Sequence, residues 1–169
     1  MGSFSIEATD LAWLGGAADD PRDLCLHGHA KAVIGERTLE YADATVSAAA
    51  LYLLKSVTED HLSHADNQLL PCCGFFLLPN ADLTQVLIVG CDSGLDWSVL
   101  HDGELVRLRL DDGYEQTVPL AAYRAEVFRF ADKIEAFYAS CTPKVLPTDA
   151  FARSGYLAFW NEWRRRRGN

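Results

Sequence analysis

No apolar run in this chain approaches the ~20 residues that a helix needs to cross a bilayer. The longest runs are broken by Lys55, Pro79 or Gly90. The opening residues, MGSFSIEATD, carry acids and no basic stretch, so no secretory signal is expected. The sequence also has no CxxC pair, no HExxH, no GxxxxGK[ST] or GxGxxG loop and no GxSxG elbow. Zinc peptidases, phosphate-loop and dinucleotide-binding enzymes and α/β-hydrolases thereby lose their usual markers. Basic charge is scarce: 15 Lys and Arg stand against 24 Asp and Glu, for a net charge of −9.

That deficit is uneven, because Arg164 to Arg167 form one run. The rest of the chain holds 11 basic residues against 24 acids, a balance near −13. Such a surface repels nucleic acid and anionic membrane and suits a basic protein partner. The Arg run itself reads as the end of a helix, where cations complement the C-terminal dipole.

What is present is globular. Of 169 residues, 49% are hydrophobic and 23% charged, enough to build a core and too apolar for disorder. One domain over residues 1–169 is expected, soluble and cytoplasmic. The five cysteines, Cys25, Cys72, Cys73, Cys91 and Cys141, are odd in number. Reduced, mostly buried thiols fit that count better than a disulfide framework.

Residues 1–23 show no long period and are punctuated by Gly15-Gly16 and Asp19-Asp20-Pro21, so an irregular segment is expected. From Leu24 the pattern alternates and predicts a strand, a turn at Ile34 to Arg37 and a returning strand over Thr38 to Tyr41. Over residues 45–60, Val46, Ala50, Leu53, Leu54 and Val57 recur at helical spacing, with Asp43 or Thr45 available as cap. CCGFFLLP and TQVLIVGC are almost continuously apolar and predict two central strands covered on both faces. DWSVLH, ELVRLRL and YEQTV predict a meander joined by Asp-Gly turns at Asp102-Gly103 and Asp112-Gly113. Pro119 opens a helix whose stripe runs Leu120, Tyr123, Val127, Phe130, Ile134, Phe137 and Cys141. A last helix, 149–167, carries an aromatic face that should dock on the core. The order predicts an α+β fold: about six antiparallel, hairpin-rich strands packed on about three helices, two of them C-terminal.

Three groups of residues are candidates for chemistry. Cys25, His27 and His29 alternate along LCLHGHA and share one strand face, a spacing that suits metal ligation. Cys72, in PCCG, is a candidate nucleophile. Asp92, Asp96 and His101, in GCDSGLDWSVLHDG, are candidates for acid–base work. Each group also has an ordinary structural role: a polar strand face, inert thiols and turn formers. No cofactor is expected, and the missing motifs lean away from an enzyme. The favoured function is binding of a basic protein partner, in character a bacterial immunity or toxin-neutralising protein that occludes a basic site. The alternatives are a metal- or thiol-dependent hydrolase built on the residues above, and a subunit that docks through its aromatic C-terminal helix. Sequence leaves the oligomeric state open.

Overall fold

The computed structural model describes residues 2–16, 18–65, 67–74 and 76–168. Among the described residues the fold is α+β, with antiparallel strands in small sheets and three helices, two of them C-terminal. About ten strands are described where six were expected, because an extra strand forms at the N-terminal end and Leu70–Pro71 pairs with Gly94–Leu95 in a two-residue ladder.

The first sheet orders β1 (Phe4–Trp13), β2 (Leu26–Ile34) and β3 (Arg37–Ala44). Strand β1 corrects the expectation of an irregular segment over residues 1–23. Phe4, Ile6 and Ala8 point into the core while Ser5, Glu7 and Thr9 face out. The alternation then breaks at an irregularity between Thr9 and Ala12, where Asp10 takes φ of +52°. The period-two signal is therefore too short to stand out in sequence. The expected β2–β3 turn is present, closed by the Ile34–Arg37 pair with Gly35 at φ of +58°. Only glycine takes that φ at no steric cost.

Helix α1 (Val46–Ser56) is not amphipathic in place. Lys55 alone escapes burial, since β2 and two helices wrap the others. A helix closed in on every side belongs to the core rather than its surface. Thr45 holds the N-cap position, but its hydroxyl makes no cap bond; it donates instead to the Cys72 carbonyl at 3.1 Å.

Two short ladders follow. Strand β4 (Leu70–Pro71) pairs with β7 (Gly94–Leu95), and β5 (Phe76–Pro79) pairs with β6 (Val86–Val89). The expectation of two central strands is corrected here. Val86 and Ile88 are buried, but Phe76 and Leu87 are each 54% exposed. Helix α3 (Ala150–Arg167) covers only the other side of this ribbon. It comes close enough that a Cβ at Gly155 would stand 2.5 Å from the Leu77 carbonyl oxygen. A continuous apolar run does not say whether one face or two are covered.

Strands β8 (Ser98–Asp102), β9 (Leu105–Arg109) and β10 (Glu115–Pro119) form the expected meander. Val106 and Leu108 face the core, opposite Arg107 and Arg109. Helix α2 (Leu120–Ser140) buries Tyr123, Val127, Phe130 and Ile134, the middle of the predicted stripe, while Leu120, Phe137 and Cys141 at its ends are half-buried. In α3, Tyr156, Phe159 and Trp163 are buried as expected of the aromatic face, while Phe151 at its start is 48% exposed. Asp149 caps α3 by accepting from the Ala152 N–H at 2.8 Å, and Gly168 closes it at φ of +85°. The Arg run folds back on the body. Arg166 donates to Glu162 at 2.7 Å and Glu59 at 2.6 Å, and Arg167 holds Asp132 with two bonds. Among the described residues no helix is long and apolar enough to cross a membrane.

Candidate functional site

The candidate residues separate into three places. Cys25 and His27 meet at the start of β2, beside Asp43 at the end of β3. The Cys25 sulfur lies 3.4 Å from His27 Nε2, and His27 Nδ1 lies 2.9 Å from an Asp43 carboxylate oxygen. The Thr45 hydroxyl is also 3.4 Å from His27 Nε2, but its proton serves the Cys72 carbonyl. A single imidazole tautomer satisfies the group: Nδ1–H donates to Asp43, and Nε2 accepts from the Cys25 thiol. Burial, reinforced by the Asp23 carboxylate, pushes that thiol up to about 12. Cys25 is thus held as a neutral donor, and thiolate character is what a nucleophile or ligand needs. It lines a cavity of about 120 Å³ walled by Leu77, Phe151 and Phe159. His29 does not join them. It turns to Glu40 at 3.8 Å and Thr9 at 3.5 Å, so the alternating triplet does not converge on one point.

Cys72 lies on the loop after β4, not within a strand. There it meets Cys73 and Cys91, their sulfurs all within 4.8 Å of one another. Cys72 and Cys91 are joined as a disulfide. The expectation of five reduced, mostly buried thiols is corrected: Cys25 is buried, while Cys73 and Cys141 are half-buried and Cys91 is exposed. Among the described residues, these three cysteines are the one group of three or more thiol, imidazole or carboxylate groups placed to share an ion.

Asp92 and Asp96 come together, but His101 does not join them. Its ring and backbone N–H both bond Asp60, each within 2.9 Å, and they hold the Asp60 carboxyl below its usual range. Asp92 and Asp96 line a cleft of about 340 Å³ with Asp111 and Asp112, from the β9–β10 loop. Asp92, Asp111 and Asp112 are exposed on its rim. His64 lies 3.0 Å from Asp111, and Arg37 lies 3.4 Å from Asp112. Asp92 has neither a hydrogen bond nor an ion pair among the described residues. The Asp96 side chain, at the floor, is 7% exposed. One of its oxygens accepts from His61 Nε2 at 2.8 Å and from the Leu69 N–H at 3.0 Å. The other is buried with no hydrogen-bond partner among the described residues. A bare buried carboxylate oxygen is costly.

Sequence reasoning reached Asp92 and Asp96, passed over Asp111, and read Asp112 as a turn former. It also missed Asp43, which read as a helix cap. No protein-family model, no curated protein and no solved structure matches this chain. Fold and sites alone define it, as an α+β protein with an acidic cleft and a clustered set of thiols.

Proposed function

We propose that this protein works by binding a basic protein through the cleft bordered by Asp92, Asp96, Asp111 and Asp112. One observation carries the proposal: three exposed carboxylates, those of Asp92, Asp111 and Asp112, border one cleft that Asp96 also lines. An entering guanidinium matches that rim, because its planar donor fork pairs with carboxylates. The net charge of −9 extends the attraction over the whole molecule and speeds encounter with a cation. An immunity-type protein that covers the basic site of a toxin is the concrete version. A hydrolase built on Cys25, His27, Asp92, Asp96 and His101 has less support, since these side chains lie in separate places.

The test uses the full chain as bait at low salt, beside a variant carrying Asp92→Asn, Asp111→Asn and Asp112→Asn. In parallel, an arginine-rich peptide is titrated into both proteins and followed by amide NMR shifts. The peptide should shift residues around the cleft and bind the variant roughly 10- to 100-fold more weakly, with raised salt erasing most of the difference. A basic protein held by the wild-type bait should be absent from the variant. Equal peptide affinity for both proteins, or a bait that retains no basic protein at low salt, would overturn the proposal.

A further inference from the structure

We infer that Cys72, Cys73 and Cys91 form a binding site for a thiophilic d10 cation, opened when the Cys72–Cys91 disulfide is reduced. This site is separate from the acidic cleft and does not rest on it.

The placement is built by two loops. Cys72 and Cys73 lie between β4 and β5, and Cys91 lies between β6 and β7, so the two small ladders present the loops to each other. Backbone bonds fix both loops. The Cys72 N–H donates to the Ser93 carbonyl at 3.0 Å, and the Cys91 N–H donates to the Cys73 sulfur, also at 3.0 Å. The Cys72 carbonyl is held from the other side by Thr45. Gly90 lets the loops approach, since a Cβ there would stand 2.8 Å from the Cys73 carbonyl oxygen.

Three sulfurs bound about 2.3 Å from one ion lie about 4 Å apart. The three sulfurs here lie within 4.8 Å of one another, so small side-chain rotations complete the site. Thiolates select soft ions such as Cu(I) and Zn(II) over hard ones. Cu(I) is served by three sulfurs alone. Zn(II) needs a fourth donor, which water supplies at the exposed Cys91 edge. The half-buried or exposed positions of these residues leave an entry path.

Oxidation state controls the site. A small dithiol reduces the Cys72–Cys91 bond: its two sulfurs form its own disulfide, and its two protons pass to Cys72 and Cys91. Cation binding then displaces the thiol protons to solvent. With the protein disulfide in place, Cys73 is the one free thiol of the three.

The full-length protein is reduced without oxygen, freed of reductant and titrated with Cu(I) and Zn(II), each against a chromophoric chelator. One arm should show one equivalent bound, and that arm identifies the ion. Cys73→Ser and Cys91→Ser should each weaken binding at least about 100-fold, because loss of a direct ligand exceeds the loss of an outer partner. Cys141→Ser should bind as the wild type does. The oxidised wild type, identical in sequence, should bind neither ion tightly, a control that holds even where a serine variant folds poorly. Equal affinity in the oxidised and reduced proteins, or weak binding of both ions by the reduced wild type, would overturn the inference.

Discussion

Two histidine–aspartate pairs in this protein have nearly the same contact and opposite surroundings. His61 and Asp96 meet at 2.8 Å, and their side chains are 9% and 7% exposed. His27 and Asp43 meet at 2.9 Å, but there the histidine is 11% exposed and the aspartate 84%. Distance therefore says little about what a pair contributes. In the first pair the carboxylate has left water, and its partners must replace all that water gave. One of its oxygens is buried without a hydrogen-bond partner among the described residues. In the second pair the carboxylate stays hydrated, and the imidazole is held between that carboxylate and a buried thiol.

Removing Asp96 should have the largest effect. Asp96→Ala strips the acceptor from both the His61 ring and the Leu69 N–H in a dry setting. A loss of about 3 kcal/mol is expected, because buried groups left unpaired lose their solvation without return. Asp96→Asn keeps one oxygen for both donors and should cost less. The check is the urea midpoint with the slope held constant. An Asp96→Ala protein no less stable than an Asp43→Ala protein would end the contrast between the pairs.

The dryness of the His27 pair on its thiol side can be sharpened with alkali. Burial raises the Cys25 thiol from about 9 to about 12 in the folded chain. Unfolded chains therefore shed this proton first as pH climbs. The stabilisation is complete below pH 9 and is lost progressively between about 9 and 12, by as much as ~1.4 kcal/mol per unit. Burial also raises Tyr52, Tyr123 and Tyr138, and they add to the loss at higher pH. Cys25→Ser isolates the thiol. Its stability relative to wild type should improve by about 1 kcal/mol between pH 9 and 10. A constant difference over that interval would mean that the thiol is open to water.

Sequence patterns reached the elements whose period is long and unbroken. The α2 stripe from Leu120 to Cys141 and the meander through Val106 and Leu108 were legible because burial there follows one face. Strand β1 was not, since six alternating residues precede the irregularity at Asp10. The exposed face of Phe76 and Leu87 was not legible either, because apolarity alone does not reveal a missing neighbour. The sites followed the same division. Cys25 and His27, two apart in an alternating run, were readable as a pair. Asp43, Asp111 and Asp112 reach their places through tertiary packing, and Cys91 joins Cys72 only when two ladders set their loops side by side. No local period encodes such approaches.

Asp43 should give the smallest effect and the most diagnostic one. Its carboxylate is mostly in water, so Asp43→Asn or Asp43→Ala removes a contact that solvent partly replaces. A cost of about 0.5 kcal/mol is expected, the scale of an exposed ion pair. The imidazole should respond more than the fold does. Asp43 accepts from Nδ1–H, which leaves Nε2 free to accept from the Cys25 thiol. Without that carboxylate the ring loses its orienting partner, and the two neutral tautomers come closer in energy. Nitrogen NMR of His27 should show the wild type dominated by the Nδ1–H form and Asp43→Ala shifted toward a mixture. His61, anchored through Nε2 on buried Asp96, should be unchanged in the same spectrum. If His27 keeps its tautomer without Asp43, the buried thiol alone fixes the ring. The exposed carboxylate would then be a bystander, and the two pairs would differ in kind rather than in degree.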